Sequence, residues 1–121
     1  MHNFRELKIW QKGRELVKET YLTTKNFPKE ELFGLSQQMR RAGVSIPSNI
    51  AEGCGRGTDN QLIHFLDIAN GSTCELETQI ILSFDLGYID EQKMNEMTGF
   101  CKNLQQMIVS FKIMLEKRKE K

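Results

Sequence analysis

Apolar side chains recur at steps of three and four residues along nearly the whole chain, which is the spacing of one face of an α-helix. The first such segment runs from Phe4 to about Asn26, the second begins at Pro28, the third runs from Asp59 to Leu86, and the fourth follows Asp90. The most regular stripe is that of the fourth segment, at Met94, Met97, Cys101, Leu104, Ile108, Phe111 and Leu115. The pattern predicts four helices and no β-strand.

Local signals mark the ends of these helices. Thr58 and Gln61 have the spacing of an N-terminal capping box, Gly87 fits a left-handed C-terminal cap, and Asp90 fits an N-cap. The glycines within residues 53–57 are expected to break the pattern before the third helix. Pro47 lies inside the second helix and removes one backbone hydrogen bond, so we expect that helix to kink or split near residues 43–45.

Long helices with short connections pack most simply as antiparallel neighbours. We therefore expect an all-α fold, an antiparallel up-down-up-down four-helix bundle whose second helix is kinked near Pro47. A chain of 121 residues is long enough for one hydrophobic core and too short for two, so residues 1–121 are predicted to form a single domain.

The third and fourth helices carry apolar residues on more than one face, as residues 80–82 and 113–115 illustrate. One interpretation is a wide core stripe with a few exposed apolar side chains. The other is a second buried face that makes a homo-oligomer, because an apolar patch of that width is a liability on a monomer.

Charge is distributed unevenly, although 17 basic and 16 acidic residues give a formal net charge of only +1. Residues 58–88 contain no Lys or Arg and carry the acidic residues Asp59, Asp67, Glu75, Glu77 and Asp85. One interpretation is that this acidic helix faces basic neighbours inside the bundle or solvent. The other is that the basic first and fourth helices remain free to meet phosphates. The candidate phosphate contacts, chosen by charge, are Lys8, Lys12, Arg14, Lys18, Arg40, Arg41, Arg56, Lys112, Lys117 and Arg118.

Catalytic, metal and cofactor sites are not predicted. The three cysteines form no CxxC pair, and a di-iron centre would need two Glu-x-x-His pairs that the chain lacks. His64 is the single internal histidine, which leaves no Ser/His/Asp or Cys/His arrangement. Because the chain also shows no membrane span and no signal peptide, we expect a cytoplasmic, non-enzymatic protein.

The densest polar cluster lies around Pro47. Ser45, Asn49 and Glu52 are spaced four and three residues apart, on one side of the second helix. Ser72 and Glu75 on the third helix, with Arg40 or Arg41, are candidate partners, because buried polar groups must find hydrogen bonds. The cluster is either a structural network that holds the kinked helix or a site for a ligand or partner.

The run Ser45-Ile46-Pro47-Ser48-Asn49-Ile50-Ala51-Glu52-Gly53, followed by Gly55-Arg56, resembles the signature of the four-helix-bundle family of proteins encoded in intervening sequences of bacterial 23S ribosomal RNA genes. The resemblance covers nearly the whole chain. Further matching positions are Phe4, Leu7, Trp10, Gln11, Phe27-Pro28, Phe33-Gly34-Leu35, Ala69, Gly71-Ser72 and Glu75.

The resemblance implies an antiparallel bundle, often assembled as a ring of five, without an established activity. It also implies kinship to the accessory protein of diversity-generating retroelements, which is similar and binds nucleic acid and a reverse transcriptase. The leading hypothesis is thus a non-enzymatic homo-oligomer that binds RNA or DNA through basic surface residues. The alternative is a scaffold that binds a partner protein and no nucleic acid.

Overall fold

A computed structural model describes residues 2–119, so Met1, Glu120 and Lys121 of the predicted domain lie outside the described residues. Within this range the chain forms α1 (Lys8–Thr24), α2 (Leu35–Gly55), α3 (Asp59–Asp85) and α4 (Glu91–Lys119). Short 3-10 turns at Phe4–Glu6 and Lys29–Glu31 precede α1 and α2. The described residues contain no strand, and the prediction of an all-α four-helix bundle is confirmed.

The second helix begins later than its pattern predicts. Pro28 is followed by a 3-10 turn, and the predicted helix start there is wrong because Gly34, with φ −115° and ψ −114°, interrupts the helical backbone. The Glu31 carboxylate accepts the N–H of Leu35 at 3.2 Å and caps the later start. Leu32, which a helix beginning at Pro28 would include, instead precedes α2 and is 49% exposed.

The same helix ends later than expected, because Gly53 serves packing rather than a turn. A Cβ at Gly53 would lie 2.8 Å from the Phe65 Cβ and 2.9 Å from the Leu62 Cδ1, so glycine is what allows α2 to approach α3 so closely. The turn itself uses Gly57, whose φ of 86° suits glycine. Pro47 lies within α2, and the helix is not split there.

Three predicted helix ends agree with the structure. The Thr58 hydroxyl accepts the N–H of Gln61 at 3.2 Å, and the Asp90 carboxylate accepts the N–H of Lys93 at 2.8 Å. Gly87 has φ 79°, and the Tyr88 N–H donates to the Ser83 carbonyl at 2.9 Å. This last bond is the long-range bond of a Schellman cap, which closes the C-terminus of α3.

Contacts between helices follow a consistent direction. Thr24 contacts Arg40 near one end of α1, whereas Gly13 packs against Pro47 nearer the other end. Across the next two interfaces Ser45 meets Ser72 while Met39 meets Ser83, and Asp67 meets Lys112 while Asp59 meets Arg118. At each interface, a later residue of one helix contacts an earlier residue of the next helix. The contacts are therefore consistent with an up-down-up-down bundle.

The core contains the predicted stripes. The α4 positions Met97, Cys101, Leu104, Ile108 and Leu115 are buried, and Met94 and Phe111 are half-buried against them. Opposite them lie Leu16 of α1, Met39, Ile46 and Ile50 of α2, and Leu66, Leu76 and Ile80 of α3, all buried. Across residues 2–119, none of the helices combines the length and hydropathy that crossing a membrane requires.

Candidate nucleic-acid interface

Two candidate cations of α4 are ion-paired with the acidic helix α3. The Lys112 ammonium lies 2.8 Å from the Asp67 carboxylate, and Arg118 holds Asp59 through Nη2 at 2.8 Å and Nε at 3.2 Å. The hydrogen bond from Arg118 lowers the pKa of Asp59, and the bond to Asp67 raises the pKa of Lys112. These two cations therefore form ion pairs that join α4 to α3.

Two further candidates have partners within their own helices. Arg56 lies 3.0 Å from the Glu52 carboxylate and 5.1 Å from the centre of the Phe65 ring. Lys12 lies 3.5 Å from Glu15, in a pair whose two side chains are both about half exposed. Such exposed pairs are weak and remain open to exchange with an external anion.

Four candidates lie together on α1 and α2 without a carboxylate partner. Among residues 2–119, Arg14, Lys18, Arg40 and Arg41 have no Asp or Glu oxygen within 4.0 Å. The Arg14 guanidinium lies 5.0 Å from the centre of the Trp10 ring. These four cations carry charge that the described part of the chain does not locally neutralise.

Lys8 and Lys117, the remaining candidates, lie at other grooves. Lys8 borders a groove of about 590 Å³ between the start of α1 and α4, which Leu7, Ile9, Met107, Phe111 and Met114 also line. Lys117 borders a smaller groove of about 430 Å³ on α4. The structure therefore separates the ten candidates and gathers four of them.

The gathered cations surround an exposed apolar surface, which we call the α1–α2 face. It consists of Arg14, Val17, Lys18, Tyr21, Leu32, Phe33, Gln37, Arg40, Arg41, Val44 and Ser48, which line two adjoining grooves of about 370 and 670 Å³. Tyr21 and Val44 line both grooves and join them. Phe33 is 84% exposed and Tyr21 45% exposed, so the face presents aromatic rings to solvent between its positive charges.

Arg40 is fixed at the middle of this face. Its Nε donates to the Thr24 hydroxyl at 2.9 Å, and its guanidinium lies 4.8 Å from the centre of the Tyr21 ring. A cation over an aromatic face is attracted by the ring's negative π-surface. The guanidinium is therefore held in place while its charge stays available to a ligand.

The segment that carries Phe33 is anchored by Glu31. One carboxylate oxygen of Glu31 accepts the Leu35 N–H and the other accepts the Tyr88 hydroxyl at 2.7 Å. The hydrogen bond from Tyr88, and to a smaller extent the one from Leu35, lowers the pKa of Glu31. The hydrogen bond to Glu31 raises the pKa of Tyr88. Sequence reasoning missed this anchor and the exposed Phe33, because it continued the helical stripe through residues 32–35.

The predicted polar network is partly assembled. The Ser45 and Ser72 hydroxyls lie 2.8 Å apart, and the Asn49 amide donates to the Ser45 carbonyl and hydroxyl at 2.8 Å each. Glu52 instead pairs with Arg56, and Glu75 accepts from Gln79 at 3.3 Å. The three linked residues tie the α2 turn around Pro47 to α3, which is what a structural network requires.

The buried cysteines are held as thiols. Burial raises the pKa of Cys101 to about 12 and also raises the pKa of Cys54. Because the thiolate is the nucleophilic form, burial makes these two thiols poor nucleophiles. In the part of the chain that the structure describes, no group of three or more His, Cys, Asp or Glu residues gathers as a metal site.

Comparison with protein families decides the classification. The family model for the 23S rRNA-intervening sequence protein matches residues 5–110. The chain belongs to this family. Among solved structures, this family member is similar to a protein with unknown function from the S23 ribosomal protein family of Bacteroides thetaiotaomicron VPI-5482. The two chains are 23% identical with a TM-score of 0.76, over 85% of this chain and 93% of the other, and the likeness shows a shared fold. No curated protein matches the sequence.

In this 23S rRNA-intervening sequence protein, packing accounts for much of the run from Ser45 to Gly53. Ser45 and Asn49 form the hydrogen bonds to α3, Pro47 packs against Gly13, and Gly53 permits the close approach of α3. Arg40 and Arg41 lie just before this run, on the exposed side of α2. The run therefore builds the α2–α3 contact that supports the α1–α2 face.

Proposed function

We propose that this protein is a non-enzymatic, homo-oligomeric four-helix bundle that binds RNA or DNA through the α1–α2 face. The observation that carries the proposal is the gathering of Arg14, Lys18, Arg40 and Arg41 without a carboxylate within 4.0 Å among residues 2–119. A phosphate backbone supplies repeated negative charges to such a cluster and releases counterions on binding.

The pairing of α3 with α4 supports this choice of surface. Asp59 and Asp67 are occupied by Arg118 and Lys112, and the Glu77 carboxylate accepts the Gln105 amide at 2.8 Å. Carboxylates held in this way are poor competitors for the cations of α1 and α2, and more distant charges are screened at physiological salt. An external polyanion is the ligand that matches the remaining charge.

The outer sides of α3 and α4 are the proposed contact between copies. Ile81, Leu82, Val109, Ile113 and Met114 are each exposed on these helices, although they are apolar. Covering them with another copy would remove apolar surface from water. An assembly would also repeat the α1–α2 face, so that one nucleic acid could contact several copies and gain affinity through multivalency.

Fluorescence anisotropy of labelled RNA and DNA, measured from 50 to 300 mM salt, tests the proposal. Three or four phosphate contacts on one copy predict a log–log slope of about −2.1 to −2.8 with salt on single strands. Arg41→Glu should weaken binding and flatten that slope, whereas the matched control Lys102→Glu, an equal charge reversal at an exposed position of α4, should not. Absence of salt-sensitive binding by the wild-type chain, or equal losses in both variants, would overturn the proposal.

A protein-interaction scaffold is the second candidate, and the groove beside Leu7 and Phe111 is the observation that favours it. The groove is about 590 Å³ and is lined largely by apolar side chains, as a site for a hydrophobic segment would be. Recovery of a specific partner from the native host, lost on Met107→Glu, would support this candidate. Recovery of only the protein itself would count against it.

A further inference from the structure

We propose that the ligand of the α1–α2 face is a single-stranded nucleic acid, with bases stacked on Phe33 and on the Arg40–Tyr21 pair and phosphates held by Arg14, Lys18 and Arg41. This inference rests on the proposed function and adds the strandedness of the ligand. The cations alone would suit either a single strand or a duplex. The exposed aromatic rings of Phe33 and Tyr21 are what favour one of the two.

Phe33 is the first observation. Phenylalanine is usually buried, yet this side chain is 84% exposed, so its ring is open to a flat ligand. Every nucleobase has a π-face, and an aromatic side chain that stacks one typically contributes about 5- to 150-fold in affinity. The neighbouring Leu32 is also exposed, so Leu32 and Phe33 together form an exposed apolar surface.

The second observation is that the segment carrying Leu32 and Phe33 is anchored in the absence of a ligand. The irregular backbone at Gly34 turns the chain outward, and the two bonds of Glu31 fix the turn to Leu35 and Tyr88. The Tyr88 ring in turn packs 5.1 Å from the Phe27 ring. A backbone segment that is already anchored loses less conformational freedom on binding.

The third observation is the geometry of Arg40. Its guanidinium lies over the Tyr21 ring and donates a hydrogen bond to Thr24, so this planar group is held beside an aromatic ring. Bases of single strands stack on arginine planes as they do on aromatic rings. Arg40 and Phe33 line the same groove, of about 670 Å³, which places two stacking positions along one path.

These positions favour a single strand over a duplex. The bases inside a duplex are stacked on both sides and offer only their edges and the phosphate backbone to a protein. An unpaired base can turn its face to Phe33 while its phosphates remain near Arg41 and Lys18. A duplex would use the cations and leave the rings unused.

A second copy of the chain fits the face less well. It would have to bring carboxylates to four cations, because burying unpaired charges is costly. Of the 16 acidic residues, five lie on α3, and three of these five, Asp59, Asp67 and Glu77, are occupied within the bundle. Self-association through this face is therefore the competing outcome of the test.

The experiment compares a fluorescein-labelled oligothymidine of 12 nucleotides with a 12-base-pair DNA duplex, using wild type, Phe33→Leu and the neighbouring control Leu32→Ala. We expect Phe33→Leu, which keeps an apolar side chain but removes the ring, to weaken single-strand binding by about 5- to 150-fold. Duplex affinity and the salt dependence of both ligands should stay unchanged. Leu32→Ala should weaken single-strand binding less than Phe33→Leu does, and it should leave duplex affinity unchanged.

Each other result overturns a distinct claim. If wild type binds the single strand and Phe33→Leu binds it equally well, or if the duplex binds as tightly, strandedness by stacking is wrong and the proposed function stands. If wild type binds neither ligand, the proposed function fails as well. If Phe33→Leu lowers the mass by light scattering, a second copy occupies the face. Far-ultraviolet circular dichroism checks that each variant is folded.

Discussion

Lys and Arg side chains occur both on the α1–α2 face and at the contact between α3 and α4, but their surroundings differ. On α4, Lys112 and Arg118 lie against the carboxylates of Asp67 and Asp59. On α2, Arg40 and Arg41 have no such partner within the described residues and instead border exposed aromatic rings. A formal net charge of +1 therefore describes neither region.

This difference separates stability from binding. A cation that is paired with a carboxylate of the bundle contributes a little to the free energy of folding. Its charge is offset by that carboxylate, so it attracts an external anion only weakly. An unpaired cation contributes nothing through ion pairing and raises the local concentration of anions. Substitutions should therefore affect the two regions in opposite ways, unless they disturb the packing that both regions share.

The largest effect should come from that shared packing, at the α2–α3 contact. Gly53→Ala would bring a Cβ to 2.8 Å from the Phe65 Cβ, so backbone or side chains must shift, and we expect a loss of about 2 to 3 kcal/mol in the free energy of unfolding. Gly71→Ala is the matched control, because it is exposed inside α3 with nothing within 4 Å. The control should gain about 0.5 to 1 kcal/mol, since alanine favours a helix. Urea denaturation measures both, and a stable Gly53→Ala protein would contradict the close approach.

The next effect should separate the two sets of cations. Lys18→Gln combined with Arg41→Gln should weaken single-strand binding about 25-fold at 0.1 M salt, because two phosphate contacts are lost. The unfolding temperature should hardly change, since neither side chain has an ion pair within residues 2–119. Lys112→Gln combined with Arg118→Gln should do the reverse, lowering the unfolding temperature slightly and leaving affinity near wild type. Parallel losses in both double variants would show that the two regions are not distinct.

The features that sequence reasoning predicted are those set by residues near each other in the chain. The α4 stripe, the Thr58 and Asp90 caps and the Gly87 cap all depend on spacings of a few residues. The glycines were harder, because Gly53 and Gly57 lie in one run, yet one is packed and the other forms a turn. Only the neighbouring helix decides between those roles.

The candidate site was less predictable for the same reason. Charge identified all ten cations, but which of them are paired depends on contacts between distant parts of the chain, such as Asp59 with Arg118. Phe33 was hidden because Tyr88, which anchors its segment through Glu31, lies 57 residues away from that carboxylate. The hydrogen bonds of Ser45, Asn49 and Ser72 could be anticipated, since polar groups near a core stripe require partners.

The smallest effect should be a pH dependence confined to the α3–α4 contact. Arg118 lowers the pKa of Asp59, so this pair stabilises the fold above the ordinary aspartate pKa and loses its contribution as the pH falls through the lowered value. Asp59→Asn should therefore be less stable than wild type at pH 7, and the gap should narrow by pH 3. Thermal unfolding followed by circular dichroism at the two pH values measures this change, with Asp85→Asn, an exposed carboxylate at the end of α3, as the control. A gap that stays constant with pH would mean that the charge of Asp59 is not what holds Arg118 in the bundle. The cations of α4 would then be as free as those of α1 and α2, and the contrast between the two regions would fail.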